Sequence, residues 1–200
     1  MACVLRPSLA VAGAIRGCSG LLLGIAIVVL AGCSDDPTPV PSSVPARVGW
    51  SVDFLSGAYC LPLPHSDQLG EVSAASVGAL AEDGAFGVAV SCSVHDDGTA
   101  FDVDATASTT DRKLHISIPA LAGHPTRAMP VTGSASFRSQ ESDGEYTSPE
   151  AGCTFWFSTD TDERVEPGLL WATFECPVIV SGDSQCTIID SYVVFDRCTG

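Results

Sequence analysis

Lysine is almost missing from this 200-residue chain, with Lys113 the only one. Nine Lys and Arg against 24 Asp and Glu leave a formal net charge of −15. Such a surface repels phosphate backbones and anionic headgroups, which argues against nucleic acid as a partner. Long apolar runs are scarce too. The longest core, Leu21 to Leu30, is ten residues, whereas a membrane-spanning helix needs about 20. No Cys-x-x-Cys pair is present to suggest a zinc or dithiol site. Neither a Gly-x-Ser-x-Gly elbow nor a His-Glu-x-x-His helix is found. No cofactor is therefore expected, and sustained helical periodicity is also missing.

What the chain does have begins near its start. Arg6 and Arg16 precede the apolar core, no acid occurs before Asp35, and the core ends in Leu30-Ala31-Gly32-Cys33. A positive segment, a short apolar core and a small-residue site form the signature of an export signal. With cysteine at the cleavage point, residues 1 to about 35 resemble bacterial lipoprotein precursors. The resemblance implies cleavage before Cys33, a diacylglycerol thioether on its sulfur and an N-acyl chain. Cys33 is then the lipidation site and the membrane is a partner through that lipid. The expected address is the bacterial envelope, with the outer membrane favoured over the inner. Loss of residues 1–32 takes the net charge to −17.

Residues 33–47 carry Pro37, Pro39, Pro41 and Pro45 and no apolar periodicity, so they read as a lipidated cysteine with a Pro-rich tether. In polyproline II form, at about 3.1 Å per residue, such a tether reaches roughly 40 Å. Residues 48–200 are enough for one domain with a real core. Cys60, Cys92, Cys153, Cys176, Cys186 and Cys198 remain once the signal and lipid cysteines are set aside. An even number in an exported domain argues for disulfides, although the connectivity has about 15 solutions. Cys176 and Cys186 flank a turn at Ser181-Gly182-Asp183 and are the favoured local pair. Joining Cys60 to Cys92 then leaves Cys153 with Cys198, and Cys153 with Cys176 is the main rival.

Alternation with period two dominates from about residue 86. Val88, Val90, Cys92 and Val94 form one face, and Phe101, Val103, Ala105 and Ala107 form the next. A two-residue turn at Asp97-Gly98 would set Val94 opposite Phe101 and Cys92 opposite Val103. Leu114, Ile116 and Ile118 continue the pattern. Further strands are expected over Val131–Ser139, Cys153–Ser158, Leu169–Cys176 and Ile188–Phe195. Leu69, Val72, Ala75 and Ala79 suggest one short helix, which Gly70 and Gly78 weaken. The expected fold is an all-β antiparallel sandwich stapled by disulfides.

Candidate chemistry is thin. The four histidines, His65, His95, His115 and His124, are scattered, and Asp104 with His115 makes at most a diagonal pair. Acidic runs at Asp96, Ser142 and Asp160 read as turns rather than calcium loops, with the Asp160 run, followed by Glu166, the best of the three. The aromatic segments Phe155-Trp156-Phe157 and Leu170-Trp171-Ala172-Thr173-Phe174 are more informative. If the Phe residues point inward, alternation sends Trp156, Trp171, Thr173 and Glu175 to the opposite face as a candidate ligand platform. Paired exposed rings there would suit a glycan or a protein partner, whereas a sheet covered on both sides, or a single stabilising cross-strand pair, is the somewhat favoured reading of the same pattern. The expected function is a non-enzymatic binding or structural module. The alternative is an exported-side hydrolase of unfamiliar class using His, Asp and Ser.

Overall fold

The computed structural model describes residues 44–200. The expected signal over 1–32, Cys33 and the expected tether over 33–47 as far as residue 43 lie outside the described residues. Within them, the strands are β1 (Arg47–Tyr59), β2 (His65–Leu69), β3 (Ala81–Glu82), β4 (Ala89–Asp96), β5 (Phe101–Ser108) and β6 (Lys113–Leu121). They continue with β7 (Val131–Arg138), β8 (Tyr146–Thr147), β9 (Cys153–Trp156), β10 (Arg164–Glu166), β11 (Leu169–Ser181) and β12 (Ser184–Asp196).

All twelve belong to one antiparallel sheet, whose main path runs β2-β1-β12-β11-β8-β7-β6-β5-β4. β9 bridges β11 and β7, and β3 and β10 attach to β1 and β11. The inward rows of both wings join a single core. Val48, Trp50, Val52 and Phe54 of β1 share it with Val103, Ala105 and Ala107 of β5 and with Leu114, Ile116 and Ile118 of β6. The two expected layers are thus wings of a continuous sheet curled over one interior. Period-two alternation is the cause, because a strand with one buried face presents every second side chain to it. β1 lies upstream of residue 86, yet Val48, Trp50, Val52 and Phe54 carry the same alternation and are fully buried.

The β4–β5 hairpin keeps its faces but not its expected register. Asp96 pairs with Phe101, Val94 with Val103 and Cys92 with Ala105. The loop therefore contains Asp97 to Ala100, not Asp97-Gly98 alone. Side-chain capping explains the longer turn: Asp97 Oδ1 accepts from Thr99 N, Thr99 Oγ1 and Ala100 N at 2.7, 2.7 and 2.9 Å. These bonds, led by the Thr99 hydroxyl, hold the Asp97 carboxyl below its usual pKa. A shift of two residues leaves every side chain on its original face.

The short helix suggested by Leu69, Val72, Ala75 and Ala79 does not form. β2 occupies its start, and residues 70–80 make a compact loop in which Glu71 N donates to Ala79 O at 2.8 Å and Gly78 N to Glu71 O at 2.7 Å. Gly70 adopts φ +68°, which stops helical propagation. The helical element among the described residues is a single 3-10 turn at Ala85–Gly87.

The cysteines pair as Cys60–Cys186, Cys92–Cys198 and Cys153–Cys176. This corrects the favoured Cys60–Cys92, Cys153–Cys198 and Cys176–Cys186 set and matches the rival for Cys153. Register supplies the reason. In the β11–β12 hairpin Cys186 stands opposite Ile179 and Cys176 opposite Ile188, so the two sulfurs are offset along it. Cys60 instead follows Tyr59, which pairs with Gln185, and Cys153 precedes Thr154, which pairs with Glu175. Cys198 sits beside Thr199, which bridges in parallel to Ser93 on the outer edge of β4. The C-terminal residues thereby cover an edge strand that would otherwise be open to pairing.

Thiol titration of the denatured, unreduced domain is expected to return no free thiol outside Cys33. Peptide mapping should recover Cys60–Cys186, Cys92–Cys198 and Cys153–Cys176, and removing any one bridge should cost about 2–5 kcal/mol in a denaturant melt.

Candidate functional site

Residues paired across adjacent antiparallel strands share a face, and the register of the β1–β12–β11 wing therefore dictates what its outer surface carries. One row reads Gly49, Val194, Trp171 and Arg164. The next reads Ser51, Tyr192, Thr173 and Trp156. Glu175 lies one row beyond, opposite Thr154. Trp156, Trp171, Thr173 and Glu175 are thus brought to one face, opposite the core-facing Phe155, Leu170, Ala172 and Phe174.

The rings are not an open platform, however. Trp156 is 5% exposed and Trp171 7%. Trp171 is covered by the 70–80 loop, forming a second apolar cluster with Val72 and Val194, against which Val77, Leu80, Leu169 and Tyr192 pack. Gly49 makes the covering possible. A Cβ there would lie 2.5 Å from Val72 Cγ2 and 2.7 Å from Leu80 Cδ2. Trp156 is capped by Arg127, whose guanidinium carbon stands 5.3 Å from the ring centroid in cation–π geometry. Of the two arrangements the sequence allows, exposed rings or a sheet covered on both sides, the rings take the covered one, because two loops that carry no motif of their own fold onto them.

Between these two covers the face stays open as a cleft of about 380 Å³, within the range of small-ligand sites. Arg127, Trp156, Thr173, Asp190 and Tyr192 line it, and Ala74 of the covering loop forms part of its wall. Arg127 reaches Asp190 at 3.1 Å and Glu175 at 3.9 Å. Asp190 is held at φ +39°, where the β11–β12 register shifts between Phe174 and Cys176. Asp tolerates this left-handed backbone better than bulky residues do.

Beneath the floor lies Glu163, only 2% exposed. Its Oε1 accepts from Thr173 Oγ1 at 2.8 Å and its Oε2 from Ser158 N at 2.6 Å. Burial pushes the Glu163 carboxyl above its usual pKa, while those two hydrogen bonds and the nearby His124 pull the other way. Thr173 spends its proton on Glu163, so its remaining lone pairs are the groups free to accept from a ligand. Burial, with Asp190 and Glu163 nearby, raises Tyr192 above its ordinary value and keeps its hydroxyl a donor. Donors from Arg127 and Tyr192 thus face acceptors from Thr173 and Asp190. That combination suits a group that both donates and accepts, such as a hydroxyl.

The remaining expected groups are dispersed. His65 Nε2 lies 2.7 Å from Ser139 Oγ and its Nδ1 2.8 Å from Leu63 O. Ser139 is buried and its hydroxyl accepts the Ser142 amide at 3.0 Å, so the contact pins β2 to the loop after β7. His115 Nε2 stands 3.4 Å from Asp104 Oδ2, the diagonal neighbour that strand geometry suggests. His124 rests on the Phe157 ring at 5.1 Å. Among the described residues no three His, Cys, Asp or Glu side chains group as metal ligands. In the acidic loop Glu163 turns inward while Arg164 pairs with Glu166 at 2.9 Å. Arg127, Asp190 and Tyr192 are the cleft residues sequence reading missed. Arg127 sits in a loop without a recognisable pattern, whereas Ile188-Ile189-Asp190 breaks the alternation visibly.

Glu163→Gln should be tolerated at pH 7, since an amide can still accept from Ser158 and reverse the bond to Thr173. Glu163→Ala should cost about 1–3 kcal/mol through the unpaired donors left behind. A raised folded-state pKa means the native state holds the extra proton between the unfolded value, near 4.5, and the higher folded one. Wild-type stability should therefore rise relative to Glu163→Gln as pH falls through that window, as read from paired denaturant melts. Gly49→Ala should cost about 1–3 kcal/mol by overpacking the covering loop. Comparison with family models, with curated proteins and with solved structures finds no match to this chain, so the site is read from its own geometry.

Proposed function

We propose that this chain is a lipid-anchored bacterial envelope lipoprotein whose β domain serves as a non-enzymatic binding module, held off the membrane by its Pro-rich tether. The observation that carries the reading is Leu30-Ala31-Gly32-Cys33 after a short apolar core, which assigns one cysteine to lipid. Cys60, Cys92, Cys153, Cys176, Cys186 and Cys198 are then all oxidised, as suits an exported domain. The cleft over Thr173 supports binding rather than turnover. Its charged groups are engaged, Arg127 with Asp190 and Glu163 beneath the floor with the Thr173 hydroxyl, and no histidine is among the residues that line it. A glycan or a protein surface remains the partner class, and the acidity of the domain speaks against nucleic acid.

Acyl chains on Cys33, each buried methylene contributing about 0.8 kcal/mol, would make attachment effectively permanent. Expressed in a bacterium, the wild-type chain should enter the detergent phase on Triton X-114 partitioning and incorporate labelled palmitate. Cys33→Ala should move to the aqueous phase and lose the label. Equal partitioning of the two would remove the basis for the anchor.

A further inference from the structure

Phe86 is the one large aromatic side chain among the described residues that is both fully exposed and held in a left-handed backbone conformation, at φ 50° and ψ 30°. A bulky residue in that region is strained, and its exposed ring returns nothing to folding. The turn that carries it is nonetheless firmly anchored. Gly84 N donates to Val88 O at 2.8 Å and Asp83 N to Ala46 O at 2.9 Å. Asp83 Oδ1 accepts from Val90 N at 2.8 Å. Gly84 and Gly87, at φ +79° and +77°, flank the ring with open space around them. The ring is therefore presented outward by a preorganised support.

It stands on the rim of a cleft of about 460 Å³ between the 3-10 turn and the β5–β6 turn. One wall is apolar, with Leu69 and Val88, and the other is polar, with Thr110, Asp111 and Gln140. Asp111 accepts from Gln140 Nε2 and, at 3.0 Å, from Thr109 Oγ1. These two bonds, Gln140's first, hold the Asp111 carboxyl below its usual pKa, so it stays an ionised acceptor. Arg112 also lines the cleft, but its guanidinium is engaged, Nη1 on Gln68 O and Nε beside Asp67, each at 3.2 Å.

We propose that this cleft is a binding site for a neutral glycan, with a pyranose ring stacked on Phe86 and its hydroxyls on Asp111, Gln140 and Thr110. A pyranose has the matching anatomy, an apolar C–H face and an edge of hydroxyls that donate and accept. The strong negative charge of the domain disfavours an anionic sugar, and the charge of Arg112 is already compensated by Asp67. Glu82 and Asp83 beside the turn likewise disfavour an anionic lipid surface. The inference rests on the binding-module reading and names its ligand class, at a site separate from the Thr173 cleft.

The test uses the full-length chain in a sugar-free detergent, titrated with tetrasaccharides of glucose, N-acetylglucosamine and mannose by calorimetry. Saturable binding of at least one is expected. Phe86→Ala should weaken it tenfold or more, Phe86→Trp should preserve it, and Asp111→Asn should weaken it severalfold. Phe86→Gly should abolish binding while raising the melting temperature, because it relieves the backbone. No saturable binding to any of the three overturns the proposal. So does binding that survives Phe86→Ala but is lost in Arg127→Ala, which would leave the module reading intact and move the site to the Thr173 cleft. A Phe86→Ala defect confined to phosphatidylcholine-vesicle binding of the Cys33→Ala chain would reassign the ring as an interfacial anchor and also overturn it.

Discussion

The β11–β12 hairpin is the constraint on which the rest of this domain depends, because both of its faces are covered. Its inner face supplies Leu170, Ala172, Phe174, Val193 and Phe195 to the main core. Its outer face carries Trp171 and Val194 in a second cluster. A strand with two apolar faces cannot tolerate solvent on either, so some other segment has to cover the outer one. Residues 70–80 do this from one side, and the loop holding Arg127 does it from the other. The Thr173 cleft is the space the two covers leave between them. Ligand geometry and packing therefore share one origin, the cross-strand rows of the hairpin.

Disulfides secure the same arrangement at its margins. Cys153–Cys176 ties β9 to β11, Cys60–Cys186 ties the end of β1 to β12, and Cys92–Cys198 closes the C-terminal residues onto β4. Each fixes a place where a strand end would otherwise fray. Charge is handled by pairing rather than exclusion. Asp67, nearly buried, accepts the Trp50 indole N–H at 2.9 Å and faces Arg112 Nε at 3.2 Å, so its charge is compensated where water is scarce.

Much of this was legible in the residues themselves. Alternation located β4 to β7, β9, β11 and β12, and inward Phe155 and Phe174 placed Trp156 and Trp171 on the opposite face. The same signal existed for β1, in Val48, Trp50, Val52 and Phe54. Other features were hidden for physical reasons. The β4–β5 turn length depends on three bonds to one carboxylate of Asp97, which a dipeptide rule does not weigh. The disulfide pattern depends on which strands are neighbours, and β1 pairing with β12 is a contact between distant parts of the chain. The burial of both Trp rings depends on loops that carry no sustained periodic pattern, in which Val72, Val77 and Leu80 are separated by the small and polar Ser73-Ala74-Ala75-Ser76. Gly49 becomes informative only when its neighbours Val72 and Leu80 are known to press on it.

The 70–80 loop seals the outer face of the hairpin at Trp171 as a second small core. Exchange of the Trp171 indole N–H with deuterated solvent, followed by NMR, reports on that seal. The sealed face requires that proton to exchange far more slowly than the amides at the tip of the loop, Ala74 and Ala75, and to speed up in Gly49→Val. Exchange of the Trp171 indole at the rate of an exposed tryptophan would contradict the account.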